Sequence, residues 1–379
     1  MSLSLYIHFP FCTNLCGYCD FYKVHHKPAI VEQYYRALEA ELVLAKDTID
    51  PDQRLLDTIY IGGGTPSLAR TEDLVEMLDN IKRHFRLAPD MEFSFEINPE
   101  SIDSDKLIFL KELGVNRPIF GMQSFKPRLL KVLNRKHNLD DSYRAIYLAR
   151  AIGFDNFGVD MIFGLPKQTS RMLSDDLNQL MELKPPHISY YQLTVEKGTA
   201  LERQVSAGKL RLPDSDLSAA MYRGINAELS NHGYFRYEIS SYALPGYECR
   251  HNLRYWDGGD FLGLGPAAHS FIGDNRIANV SDLKTYLERL ARKERPLVFD
   301  TGSREARIYE TIMLALRTAR GLERKYFRHR FGVSVEQVLD DRSFRAMVES
   351  GLIDPEGDRI KLTEHGFPLA DEIIRRLVK

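Results

Sequence analysis

The sequence predicts an α/β protein built on a parallel sheet, with a mainly helical, winged-helix-like region at its C-terminal end. Six short segments rich in β-branched and aromatic residues alternate with five longer segments whose apolar residues recur every three or four positions. Alternation of that kind lays strands parallel, with helices packed over them. Glycine, proline and polar motifs follow several of the strand-like segments, at the end of a parallel sheet where sites are built. Near Ser303 the pattern changes to helices that run into a short hairpin and a final amphipathic helix.

In chain order the strands are Leu3 to His8, Asp57 to Ile61, Glu92 to Ile97, Val115 to Phe120, Phe157 to Ile162 and His187 to Leu193. The helices between them are Ile30 to Leu44, Thr71 to Phe85, Ser104 to Leu113, Asp140 to Ile152 and Ser170 to Leu183. Six such units are too few for a closed eight-stranded barrel, so the pattern permits either a partial barrel or a doubly wound sheet. A helix from Asp216 to about Leu229 opens a second stretch, in which the aromatic, glycine-rich run from Tyr234 to Phe271 reads as further sheet and loop. Strand-like Gly351-Leu352-Ile353-Asp354 and Arg359-Ile360-Lys361-Leu362, joined by the turn Glu356-Gly357-Asp358, form the late hairpin, and the last helix starts from Thr363. These shifts divide the chain into 1–215, 216–300 and 301–379.

Composition narrows the classes of function. With 44% hydrophobic residues in 379, the chain can bury a barrel-sized core. Lys and Arg total 51 against 53 Asp and Glu, a net charge of −2, which offers no broad attraction to nucleic acid or anionic lipid. Arg324, Lys325, Arg328 and Arg330 are a local exception in the winged-helix-like region, too confined to make a DNA-binding face. No uninterrupted apolar run is long enough to span a bilayer, and no signal peptide precedes the first strand, so a cytoplasmic protein is expected, with any membrane contact peripheral.

Three of the four cysteines, Cys12, Cys16 and Cys19, fall in one short loop after the first strand. This spacing presents three thiolates to three corners of a [4Fe-4S] cluster and leaves the fourth iron open to a ligand. Structural zinc needs four closed ligands, usually in two pairs, and no second pair follows. Cys249 is isolated, and His8 reaches the loop only if its strand folds back. An odd triplet also argues against a disulfide framework.

The CxxxCxxC spacing, with Tyr18 just before the third cysteine, resembles the radical S-adenosylmethionine (SAM) superfamily. Gly62-Gly63-Gly64-Thr65-Pro66, Glu96-Ile97-Asn98-Pro99, Gly121-Met122-Gln123-Ser124-Phe125, Gly164-Leu165-Pro166 and Tyr237-Glu238-Ile239-Ser240 follow in the order found in its HemN/HemW group. That group contains oxygen-independent coproporphyrinogen III oxidases and haem chaperones. The resemblance spans nearly the whole chain and implies a partial (β/α)6 radical SAM barrel. It assigns Tyr6, Gly63 and Glu96 to SAM on the cluster, and Tyr18, Gly64, Gln123, Arg135 and Asp160 to a second SAM. By residue type alone, the alternatives are a core aromatic for Tyr6 and an exposed charge beside the Asn98-Pro99 turn for Glu96. Asp160 lies in an apolar strand and needs a partner, either a ligand or a basic residue such as Arg135. Two departures from the group's pattern, Pro118 in a strand and Asn134 where glycine is usual, bear on the second pocket.

Further departures separate the branches. The oxidases carry a cysteine two residues after the third cluster ligand, where this chain has Phe21, and they have an N-terminal extension, whereas five residues precede Tyr6 here. The chaperone branch carries a His-Asn-x-x-Tyr-Trp pattern, present as His251-Asn252-Leu253-Arg254-Tyr255-Trp256. The resemblance thus implies haem as ligand, His251 as an axial donor, Tyr255 and Trp256 as cover for the macrocycle, Arg250 or Arg254 as propionate partners, and a haem-accepting protein, membrane-associated acceptors included. By residue type alone, His251 reads more simply as a buried, hydrogen-bonded histidine and Cys249 as an inert buried thiol. Coproporphyrinogen III oxidase activity is not expected; it and a related methyltransferase activity are the alternatives.

Overall fold

A computed structural model describes residues 2–300 and 302–378. Six parallel strands form the centre: β1 (Leu3–Phe9), β2 (Leu55–Gly63), β3 (Arg86–Ile97), β4 (Arg117–Gln123), β5 (Gly158–Phe163) and β6 (His187–Gln192). They lie side by side in chain order, with helices α1 (Pro28–Lys46), α2 (Thr71–His84), α3 (Ser104–Leu113), α4 (Leu139–Ala151) and α5 (Ser170–Leu183) between them. A doubly wound sheet reverses its strand order part-way; these six strands do not. The strands therefore curl one way, and because β1 and β6 do not pair the barrel stays open. Pro118 is tolerated near the start of β4, where pairing to β5 begins only at Ile119.

Helix α6 (Ser215–Asn231) leads into strands that lengthen the same sheet at both edges. Strands β7 (Phe235–Arg236) and β8 (Ser241–Ala243) add antiparallel to β6. After helix α7 (Arg250–Trp256), β9 (Phe261–Leu264) pairs parallel with β1, and β10 (His269–Ile272), β11 (Asn275–Asn279) and β12 (Leu297–Asp300) continue outward antiparallel. Helix α8 (Leu283–Ala291) precedes β12. One buried carboxylate fastens this extension to the barrel: Glu41 of α1 accepts from Tyr286 Oη at 2.6 Å, Gly265 N at 2.8 Å and Asn279 Nδ2 at 2.5 Å. Burial pushes its pKa up to about 7 against those three donors.

The C-terminal region runs α9 (Arg304–Leu316), β13 (Leu322–Glu323), α10 (Arg324–Phe331), α11 (Asp341–Glu349), β14 (Ile353–Asp354), β15 (Arg359–Leu362) and α12 (Ala370–Leu377). β15 pairs with both β13 and β14, the helix-and-hairpin arrangement of a winged helix. Three of its four noted basic residues are matched by acids: Arg324 to Glu336, Lys325 to Asp358 and Arg330 to Asp274. Among the described residues no helix is long and apolar enough to cross a membrane.

Candidate functional site

At the C-terminal ends of the parallel strands lies a cavity of about 370 Å³. Cys12, Cys16, Cys19 and Tyr18 enter it from the loop after β1, Gly63 and Gly64 from the end of β2, and Glu96, Gln123 and Asp160 from β3, β4 and β5. Arg135 completes this set from the turn before α4. Ten of the twelve residues proposed from the sequence as ligands thus share one cavity; Tyr6 and His251 do not line it.

The cysteine loop is fixed from both sides. Pro10 O accepts from Val24 N at 2.8 Å and Cys12 O from His26 N at 2.9 Å, closing the loop at its base. The glycine turn then clamps it: Gly64 N donates to Phe9 O at 2.7 Å and Thr65 N to Phe11 O at 2.9 Å. A Cβ on Gly64 would stand 2.7 Å from Phe11 O, so any side chain there breaks the clamp. Asn134 holds the opposite flank, donating to Leu15 O at 3.0 Å from a backbone φ of 59°. Asparagine tolerates this left-handed geometry, so the departure from glycine keeps the turn and adds a contact to the loop.

Among the described residues, no three His, Cys, Asp or Glu side chains are arranged to hold a single metal ion. A cubane spreads its protein ligands over separate corners, so three thiols around one cavity suit a cluster better than a lone zinc ion. Burial raises the Cys12 and Cys19 thiols, opposed at Cys12 by the Thr65 hydroxyl and at Cys19 by the Lys23 ammonium. Lys23 and Arg135 bring positive charge toward the thiolate loop, as an anionic cluster requires.

Glu96 is held in the cavity wall by two donors. Its Oε1 accepts from Tyr60 Oη at 2.8 Å and its Oε2 from Gly63 N at 3.0 Å. Gly63 has φ of 108°, and a Cβ there would sit 2.5 Å from the His8 ring, so no other residue fits without rearrangement. Burial raises the Glu96 carboxyl, and its two donors oppose the shift. Glu96→Ala removes an acceptor without touching a thiol; SAM affinity measured by calorimetry on the reconstituted protein is expected to fall about tenfold, at full iron content.

Several expectations need correction. Asp160 does not pair with Arg135. Its partner is Ser189, and its pKa is pushed up to about 7 by burial and, secondly, by the Glu96 charge, so the carboxyl faces the cavity poised near neutrality. Arg135 turns instead to Asn98 Oδ1 at 2.8 Å, Gly121 O at 2.9 Å and Cys16 Sγ at 3.7 Å. Tyr6 lies within the barrel, its hydroxyl 3.0 Å from His8 Nδ1 and its ring 6.0 Å from that of Tyr60. The other His8 nitrogen meets Tyr22 O at 2.8 Å, so His8 is no metal ligand in this arrangement.

His251 lies outside the cavity, buried and hydrogen-bonded as its residue type alone suggests. Helix α7 packs against β2 and β3, and its N-terminus sits on Glu92, which accepts from Arg250 N at 2.9 Å, His251 N at 3.0 Å and Cys249 Sγ at 3.4 Å. Cys249 is the inert thiol that its residue type suggests, fully buried and pushed up to about 12 by burial. His251 is 0% exposed, with Nδ1 at 2.6 Å from Thr58 Oγ1 and Nε2 at 2.8 Å from Tyr255 Oη. Both ring nitrogens are used, and burial lowers the imidazole pKa to about 3, so a neutral ring bridges β2 and α7. Arg250 is paired with Asp90 and Arg254 with Asp57.

Of the residues missed from the sequence, Glu92 acts behind the cavity, whereas Thr65 and Asn98 line it. Glu92 read only as the start of a strand, and Thr65 and Asn98 lay inside motifs noted for their glycines and glutamate.

Comparison with known proteins places the chain in a family. Residues 6–180 fit the radical SAM superfamily model and residues 303–369 the HemN C-terminal domain. The chain is 38% identical to the heme chaperone HemW of Bacillus subtilis over 98% of this chain and 97% of that one. It is 39% identical to the heme chaperone HemW of Mycobacterium tuberculosis over 99% of this chain and 94% of that protein. The chain belongs to the HemW family. Its fold superposes on the coproporphyrinogen III oxidase HemN of Escherichia coli with a TM-score of 0.85 at 25% identity, over 99% of this chain and 89% of that one. The partial barrel and the C-terminal module are therefore those of a radical SAM protein of the HemN/HemW group.

Proposed function

We propose that this protein is a haem chaperone that binds haem, a [4Fe-4S] cluster and SAM, and passes haem to an acceptor protein. The full-length similarity to proteins named heme chaperone HemW carries this reading. Cys12, Cys16 and Cys19 hold the cluster, whose open iron supplies a seat for the amino-carboxylate of SAM. Gly63 and Glu96 receive that SAM, and Tyr18, Gly64, Gln123, Arg135 and Asp160 line the remaining space. Residues 1–215 carry these cofactors, 216–300 extend and plug the barrel, and 301–379 form the C-terminal module.

The second reading, coproporphyrinogen III oxidation, is favoured by the fit to HemN. Against it stands Phe21, 62% exposed, where the oxidases carry a cysteine. One anaerobically reconstituted preparation tests both: haem retained and released to an apo-haemoprotein supports the chaperone, whereas conversion of coproporphyrinogen III to protoporphyrinogen IX supports the oxidase.

Direct ligation of haem by His251 would require α7 to release its ring from Thr58 and Tyr255. The bridge predicts that His251→Ala lowers stability by about 2–4 kcal/mol, since two buried hydroxyls lose their partner. The haem spectrum is expected to stay unchanged; loss of the Soret shift at wild-type stability would instead make His251 the ligand.

A further inference from the structure

Four hydrogen bonds join two of the cysteines through the side chains of Arg135, Asn98 and Thr65. Arg135 Nη1 donates to Cys16 Sγ at 3.7 Å, and Arg135 Nη2 donates to Asn98 Oδ1 at 2.8 Å. Asn98 Nδ2 then donates to Thr65 Oγ1 at 3.2 Å, and the Thr65 hydroxyl donates to Cys12 Sγ at 3.5 Å. The order of donors is forced. Guanidinium has no acceptor, so the Asn98 oxygen must face Arg135 and its NH₂ must face Thr65. That NH₂ occupies a lone pair of the Thr65 oxygen and leaves the hydroxyl proton for sulfur. Both ends of the chain therefore present a proton to a thiolate.

We propose that Thr65, Asn98 and Arg135 set the potential at which the cluster accepts an electron, with Asn98 as the positioning residue for both ends. The proposal rests on the cluster reading above. Reduction adds one electron, from a low-potential donor such as dithionite, and increases the negative charge on the cluster and its thiolates. Protons aimed at sulfur stabilise the reduced form more than the oxidised one and raise the potential. Arg135 adds a full positive charge at Cys16. Its Nε is also buried without a hydrogen-bond partner among the described residues, a donor left over at the cavity wall.

The test uses the full chain, reconstituted anaerobically without SAM and titrated with dithionite under EPR. Thr65→Val, which keeps the shape and removes the hydroxyl, and Asn98→Ala are expected to retain the wild-type content of iron and sulfide. Both should reduce only at more negative potential, Asn98→Ala by the larger shift because it frees both ends. Thr65→Ser, which restores the hydroxyl, should return the wild-type potential. A loaded Thr65→Val and a loaded Asn98→Ala that both titrate like wild type would overturn the proposal, as would Thr65→Ser behaving like Thr65→Val. If wild type itself assembles no cluster, the cluster reading fails and this proposal with it.

Discussion

Replacing Cys12, Cys16 and Cys19 together by alanine is expected to abolish the cluster while leaving the barrel folded. The loop is anchored by main-chain bonds from Val24, His26, Gly64 and Thr65, none of which involves a thiol. The remaining cysteine, Cys249, cannot substitute: it is fully buried, held up near 12 by burial and bonded to Glu92. Iron and sulfide analysis after anaerobic reconstitution, with circular dichroism on the same sample, measures the two halves separately. A full cluster in the triple variant would refute the assignment of these three ligands.

Glu92→Ala is expected to have the largest effect on stability, on the order of 3–5 kcal/mol, because it orphans several buried donors at once. The carboxylate is 6% exposed and receives the Arg250 and His251 amides together with the Cys249 thiol. Without it the amides at the start of α7 face β3 unpaired, and the helix loses the anion at its N-terminus. Urea denaturation checks the size of the loss. Glu92 does not line the cofactor cavity, so protein that remains folded should still take up a full cluster. A denaturation midpoint equal to wild type would show that α7 is held by its other contacts alone.

The two experiments differ in how readable their targets are in the sequence. A metal loop is local: the spacing of Cys12, Cys16 and Cys19 within one turn of chain already limits what they can hold. The strands and helices of the barrel were equally legible, because each carries its own apolar period, and Ser104–Leu113 and Ser170–Leu183 were placed to the residue. The start of β3 at Arg86 was not, since its first residues are partly solvated and lack the apolar run of Glu92 to Ile97. The short helix α7 was missed for a similar reason: at seven residues it has no period to read, and it exists because Glu92 caps it from another strand.

The alternation of strand and helix and, through its motifs, the family were legible in the sequence alone, and the cysteine spacing was enough to propose the cluster ligands. Tertiary structure decided between a doubly wound sheet and an open barrel, because strand order is a property of pairing and no local pattern encodes it. It also decided the roles of residues far apart in the chain. His251 became a bridge to Thr58, Arg135 a partner of Asn98 and Cys16 instead of Asp160, and Asp160 a carboxyl near neutrality, because the cost of burial and the supply of partners are fixed only where the elements meet.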